Sequence, residues 1–544
     1  MSISNGRASA IAVAIIAAAY ALGLYAAYGN GYRLLSSDEM AYLAVAEAYA
    51  DFDLWRAING IRPNLPSLIA APLVGIAGVD NLPVVRIAAY VFGFALLGMV
   101  FVFSRSLSLS AWRSLAVVLP LIPVVVLHSG WLGSDTLASA FAIAFVLVLS
   151  EGRYLRSDLG AAGSGLLFGV GLIAKTFLFY LSIVLLAFSF LYYFIFRTGT
   201  YARRDVVKRT VISLSVTFLI GIGWASLLQA KYGEFGFGAA GHHNFYVSNP
   251  DWVKKGWYFP HKENTNVGLL ELPHPRSASY LEDPTATVTR LAPVYAWSPF
   301  DSAEHLRWFV GSIAWRTVHK VLPQDGAQSP LTLAMIFFAF LLLFARPQGF
   351  HFDANLFSVA ALTISMGAIL SVNFKFVYIF GFMLTILCVF SAYLYHLHDR
   401  KVLAFMAGPI AVILLAASFS ITDLDPLRNF RAAVATAGKA PAQAAIEREA
   451  AELAPHLADK RLASVREFSF VNLARICFLA RCGYLGNPHY DVPWPAQVAE
   501  LRAHRIDFFA TEPEDGRCGE ARPGLELISS QPLGGMCLSR VLSP

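Results

Sequence analysis

Apolar runs long enough, or nearly long enough, to cross a bilayer constrain this chain more than any other feature. They lie at roughly 9–28, 82–104, 114–128, 134–150, 177–196, 210–229, 328–345, 354–372, 374–396 and 402–421. A helix that spans the hydrocarbon layer needs about 20 such residues. The further stretch 160–174 is shorter and rich in Gly and Ala. The first run is too long for a signal-peptide core, and no small-residue cleavage site follows it, so it reads as a retained anchor. Only 14% of the 544 residues are charged and 56% are hydrophobic, where soluble domains carry about 25% charged residues. That excludes an ordinary soluble enzyme and a disordered or collagen-like chain. The net charge of +6 comes without a basic run or nucleic-acid motif, so no nucleic-acid partner is expected.

Lys and Arg in short loops set orientation. They cluster at Arg105/Arg113, Arg153/Arg156, Arg197/Arg203/Arg204/Lys208/Arg209, Arg346 and Arg400/Lys401. If all face the cytoplasm, an even number of spans separates each neighbouring pair. Residues 160–196 must then form a hairpin turning near Lys175, and 354–396 a hairpin turning near Asn373–Lys375. The expected architecture is a polytopic α-helical membrane protein with about eleven transmembrane helices. Its N-terminus is cytoplasmic and its C-terminus external. Residues 1–421 form the membrane domain. Segments 29–81, with amphipathic juxtamembrane helices, 230–327 and 422–544 lie outside.

Four of the five cysteines fall in the external tail, at Cys477, Cys482, Cys518 and Cys537. An even count in an oxidising compartment points to disulfides. Proximity favours Cys477–Cys482 with Cys518–Cys537, one of three connectivities. The tail reads as a small α/β domain. Strands are expected at 461–465 and 506–510, a helix at 468–479, and a hairpin of 525–530 with 536–541. The Ala-rich stretch 432–458 reads as helix.

The candidates for chemistry sit at outer ends of spans. In the first external segment, Ser36-Ser37-Asp38-Glu39 reads as a capping box, Ser36 with Glu39. The box does not use Asp38, which is left to face a cavity and take a proton from an incoming hydroxyl. Asp135 opens the fourth span; it suits a helix N-terminus and also a second acid at the same cavity. Lys175 and Lys375 lie at the two outer turns. Each fits a side chain snorkelling to the headgroups, but charges at the membrane boundary are costly and usually functional. Two cations and two acids at one depth suit a lipid-linked phosphate.

These residues resemble a family. Asp38-Glu39, Arg62-Pro-Asn-Leu-Pro66, Gly78, Arg86, Asp135, Gly169-Val-Gly-Leu-Ile-Ala-Lys175 and Lys375-x-x-Tyr378 are similar in order and spacing to membrane glycosyltransferases of the GT-C superfamily. The nearest branch holds the lipid A aminoarabinose transferase and the protein O-mannosyltransferases. The chain departs from that branch at Ile379-Phe-Gly-Phe382, where a Pro is usual. The resemblance implies a GT-C fold over 1–421 with a C-terminal periplasmic domain. It implies a polyprenyl-phosphate sugar as donor, inversion at the anomeric carbon and transfer on the periplasmic face of the inner membrane. The acceptor would be a glycolipid, polysaccharide or protein. Asp38, with Glu39 and Asp135, would be catalytic. Lys175, Lys375 and Tyr378 would bind the donor phosphate, with Arg62 and Arg86 as weaker candidates. No metal or other cofactor is expected to be required, although Asp38, Glu39 and Asp135 together offer the ligands for a divalent cation.

The loop 230–327 interleaves aromatic and basic residues, among them His242, His243, Tyr246, Trp257 and Tyr258. That mixture suits an interfacial aromatic belt, and it also suits an acceptor or sugar site under a lid. Two rival classes stay open. An oligosaccharide ligase or polymerase would use a diphosphate-linked glycan. A transporter or flippase would show repeats and mid-membrane charges, and neither is evident.

Overall fold

The computed structural model describes residues 3–28, 35–239, 250, 268–285, 297–316, 337, 339–344, 351–372, 379–399, 441–465, 470–514, 518–519 and 522–543. The first anchor is helix α1 (Ile3–Tyr28). After it come α2 (Ser37–Ala50), α3 (Leu54–Ala57), α4 (Asn64–Ala77) and α5 (Leu82–Val85). The membrane bundle continues with α6 (Ile87–Ser106), α7 (Ala111–Val118), α8 (Ile122–His128), α9 (Asp135–Ser150), α10 (Asp158–Ala174), α11 (Thr176–Phe196) and α12 (Arg203–Tyr232). Ala303–Arg316, Phe352–Val372 and Phe380–Asp399 are further described helices of the bundle. Among the described residues, six helices are long and apolar enough to cross a bilayer, with shorter apolar helices such as Asp135–Ser150 and Asp158–Ala174 beside them.

The chain leaves helix at Lys175, whose extended backbone (φ −167°, ψ 121°) separates α10 from α11. The sequence hairpin is therefore real. Its Gly content has a packing cause. A Cβ at Gly165 would lie 2.5 Å from the Ser213 carbonyl oxygen of α12. Ser213 and Thr217 donate hydrogen bonds to the Ala161 and Gly165 carbonyls at 2.7 and 3.2 Å. Small residues let two membrane helices approach and exchange hydroxyl contacts. The expected turn at 373–375, the span 402–421 and most of 328–345 lie outside the described residues.

Ion pairs gather the basic loops at one end of the bundle. Arg113 binds Asp399 through both terminal nitrogens at 2.6 Å. Arg197 binds Asp353 at 2.7 Å, and Lys208 pairs with Asp158. The opposite end carries α2–α5, the 128–135 turn, Lys175 and the end of α12. There α3 is fixed to the last turn of α12, because Lys231 and Tyr232 both donate to the Ile58 carbonyl. Beside it Phe52, Leu54 and Trp55 face outward, as befits a juxtamembrane segment.

The tail forms a five-stranded sheet in the order β2-β1-β3-β5-β4. Its strands are β1 (Arg461–Ser464), β2 (Gly483–Tyr484), β3 (Phe508–Thr511), β4 (Leu525–Leu527) and β5 (Cys537–Val541). β1 runs parallel to β2 and β3, and β5 is antiparallel to β3 and β4. Disulfides join Cys477 to Cys482 and Cys518 to Cys537. Cys388 is buried within a helix and is not oxidised. The tail does not hang apart. One buried apolar cluster runs from Met40, Leu43 and Val74 of α2 and α4 to Ile446, Leu473 and Leu538 of the tail. Arg481 adds hydrogen bonds to Glu47 at 2.9 Å and Asp80 at 2.8 Å.

Candidate functional site

Helix α2 positions the first acid. Ser36 caps it, its hydroxyl accepting the Glu39 N–H at 3.0 Å. A serine at that place satisfies one of the amides a helix start leaves without partners. Asp38 and Glu39 then diverge. Asp38 is 40% exposed and pairs with Arg62 at 2.5 Å. Glu39 is fully buried.

Glu39 and Arg86 depart from the sequence expectation. The Glu39 carboxylate accepts Arg86 Nε and Nη2, each at 2.7 Å, and the Leu132 N–H at 3.0 Å. Arg86 is 2% exposed. A pair so enclosed and so fully hydrogen-bonded locks α2, α6 and the 128–135 turn to one another. Solvent reaches neither side chain, so this geometry supports a structural part for the pair and lends nothing to the catalytic part expected of Glu39 or the phosphate part expected of Arg86. The capping box is also half a box, since Glu39 turns to Arg86 instead of back to the helix start.

Asp135 lies at the first turn of α9, and Lys175 reaches it from the α10–α11 break as an ion pair. Lys175 Nζ also donates to Ser134 Oγ at 3.2 Å. Tyr42, one turn after Asp38 on α2, donates its hydroxyl to the same Ser134 Oγ at 3.0 Å. The Tyr42 phenol is pushed up to about 12, chiefly by burial, and it feels the charges of Lys175, Arg62 and Asp38. Tyr42 is thus hydrogen-bonded through Ser134 to the Lys175 pair and lies close enough to Arg62 and Asp38 to feel their charges. Sequence reasoning did not single out Tyr42 or Ser134. The signal was there for Tyr42, which shares a helix face with Asp38 at four-residue spacing.

Arg62 comes from a tightly held turn. Asn59 Oδ1 accepts the Ile61 and Arg62 N–H groups at 2.9 and 2.8 Å. Arg62 Nε is buried and has no acceptor among the described residues. Lys375, Tyr378, His242, His243, Tyr246, Trp257 and Tyr258 lie outside the described residues. Among the described residues, no three His, Cys, Asp or Glu side chains come together to hold a metal ion. Asp38, Glu39 and Asp135 are each engaged by a different cation, so a divalent site built on those three does not fit.

The sequence matches no protein-family model and no curated protein. The fold does match solved structures. ArnT from Cupriavidus metallidurans bound to undecaprenyl phosphate aligns over 98% of this chain and 99% of its own, at 12% identity and a TM-score of 0.52. The same protein in the apo state aligns over 100% of both chains, at 10% identity and a TM-score of 0.53. The archaeal oligosaccharyltransferase AglB from Archaeoglobus fulgidus, in complex with an inhibitory peptide and a dolichol-phosphate, aligns over 92% of this chain and 69% of its own, at 10% identity and a TM-score of 0.52. With its helical bundle, first-segment helices and packed tail, the chain shares the fold of these solved structures.

Proposed function

We propose that the chain transfers a sugar from a polyprenyl-phosphate-linked donor to an acceptor hydroxyl, at the membrane face opposite its basic loops. By the distribution of Lys and Arg, that is the periplasmic face of the inner membrane, with the N-terminus cytoplasmic and the tail periplasmic. The observation that carries the reading is the Asp38–Arg62 pair. It sets a partly exposed carboxylate against a guanidinium whose Nε has no acceptor among the described residues. A buried donor of that kind suits a phosphate oxygen.

In the proposed step, the acceptor oxygen bonds to the anomeric carbon while Asp38 takes its proton. The bond from that carbon to the phosphate oxygen breaks, and polyprenyl phosphate leaves with the electron pair. Attack opposite the leaving group inverts the anomeric centre. The phosphate is a weak base, so no acid is needed. Arg62, with Lys375 and Tyr378 from the later turn, would balance its charge. Lys175 is engaged with Asp135 and would act on the phosphate only by sharing. The loop 230–327, with His242, His243, Tyr246, Trp257 and Tyr258, would cover the acceptor and exclude water. No metal takes part in this scheme.

Transfer of an oligosaccharide is the second reading, with a diphosphate-linked glycan as its expected donor; the likeness to the oligosaccharyltransferase AglB speaks for the oligosaccharide. Both relatives hold a polyprenyl phosphate, undecaprenyl phosphate in ArnT and a dolichol-phosphate in AglB, which supports the polyprenyl-phosphate reading. Mass spectrometry of cell-envelope glycans and lipids distinguishes the outcomes without knowing the sugar. A strain expressing only the Asp38→Asn variant should lose one glycoform and accumulate a polyprenyl-phosphate sugar. An unchanged glycan profile would refute the assignment, and an accumulated diphosphate-linked glycan would establish the second reading.

A further inference from the structure

The segment 268–285 touches both the tail and the turn that holds Arg62. On the tail side it lies along the β2 edge of the sheet. The Tyr484 N–H donates to the Ala278 carbonyl at 2.7 Å, the Leu270 N–H donates to the Leu485 carbonyl at 2.9 Å, and Ser279 bridges Tyr484 in parallel register. On the membrane side, the Glu282 carbonyl accepts Asn59 Nδ2 at 2.7 Å. Thr285 Oγ1 accepts the Gly60 N–H at 3.0 Å. Asn59, Glu282 and Thr285 are all buried. A Cβ at Gly60 would lie 2.7 Å from Thr285 Cγ2, so the contact is close as well as polar.

The hydrogen bonds are continuous. They run from Tyr484 in the sheet, through Ala278 and Glu282, to Asn59, whose Oδ1 fixes the amides of Ile61 and Arg62. Arg62 then meets Asp38. Hydrogen bonds linked in a buried network strengthen one another and favour one geometry. This one ends on the residue that faces the proposed base.

We propose that segment 268–285 is a brace by which the C-terminal domain positions Arg62 against Asp38, with Asn59 as the positioning residue at the junction. The brace gives the tail a part in the reaction without bringing any tail residue into the site. The proposal rests on the reading of Asp38 and Arg62 as the reacting centre, but its first test does not.

The test uses the full chain in lipid nanodiscs. Hydrogen exchange is followed at the amides of Gly60, Ile61 and Arg62 in the Thr285→Val, Thr285→Ser and Asn59→Ala variants. Losing one buried hydrogen bond should speed local opening by a factor of about 5 to 30. That increase is expected in Thr285→Val and Asn59→Ala, with α6 and β1 still protected. Thr285→Ser keeps the acceptor and should restore the wild-type rate. If Asn59→Ala does not fold, the valine and serine pair decides the matter alone. Unchanged exchange at 60–62 in folded Thr285→Val overturns the brace. Undecaprenyl phosphate is then titrated as probe. Weaker binding in the loosened variants supports both the brace and the site. Faster exchange with unchanged binding supports the brace and removes Arg62 from the phosphate site.

Discussion

Arg86 holds Glu39 by two parallel hydrogen bonds of 2.7 Å in an interior that excludes solvent from both side chains. Removing one partner of such a pair strands the other as a buried charge, at a cost of about 3–5 kcal/mol. Glu39→Ala and Arg86→Ala should each lower the yield and melting temperature of detergent-purified protein sharply. Asp38→Asn, at a partly exposed neighbour, should leave both close to wild type. Equal melting temperatures for all three would remove the structural role assigned to the Glu39–Arg86 pair.

The separation of two adjacent acids into different roles also shows what local sequence carries and what it does not. The described spans, the break at Lys175, β1, β3 and the β4–β5 hairpin follow from apolar length, loop charge and strand alternation. All of these are properties of contiguous residues. Glu39 finds Arg86 across 47 positions, and Tyr42 finds Ser134 across 92. No local pattern encodes such partners. The two-residue strand β2 is too short to show alternation and forms only because β1 and segment 268–285 supply its partners. No local pattern marks Asn59, whose partner Glu282 lies 223 positions away along the chain.

Lys175 and Asp135 neutralise one another at the end of the bundle opposite the basic loops. If that is the main purpose of the pair, Lys175→Met and Asp135→Asn should each impair transfer, and the two combined should impair it less than the sum. If Lys175 also shares the donor phosphate, the double variant should still need more donor for half-maximal rate. Additive losses with unchanged donor dependence would show that the pair neither couples nor binds donor.

The two disulfides close loops of different size, with sequence separations of 19 and 5. On the chain-entropy account, the longer contributes about 3 kcal/mol and the shorter about 2 kcal/mol. Replacing Cys518 and Cys537 by Ser should lower the melting temperature of the tail more than replacing Cys477 and Cys482. After reduction, a membrane-impermeant thiol reagent should label these residues only from the periplasmic side. Labelling from the cytoplasmic side would reverse the orientation.

Burial pushes the Glu282 carboxyl up to about 7 from its ordinary 4.5, against the lowering pull of the Ala278 N–H, Ser277 and the Arg56 charge; the nearby Glu47 raises it further. The native state therefore keeps a proton that the unfolded chain gives up above about pH 4.5. With more protons bound in the native state, stability falls as pH rises from about 4.5 to about 7. Glu282→Gln keeps an acceptor for the Ala278 N–H and cannot ionise. Its melting temperature should change less across that window than wild type, and the curves should part most above pH 7. Parallel curves would mean that Glu282 does not titrate in this range.

The central claim is that Asp38 removes the acceptor proton. The direct measurement is single-turnover release of polyprenyl phosphate from the donor that accumulates in the Asp38→Asn strain, using purified wild-type and variant protein. The account predicts that the wild type releases polyprenyl phosphate only when acceptor is present. It predicts that Asp38→Asn, folded and still able to bind undecaprenyl phosphate, releases at least about a hundredfold more slowly, the least that loss of a general base costs. Release by Asp38→Asn at the wild-type rate would contradict it and move the base elsewhere.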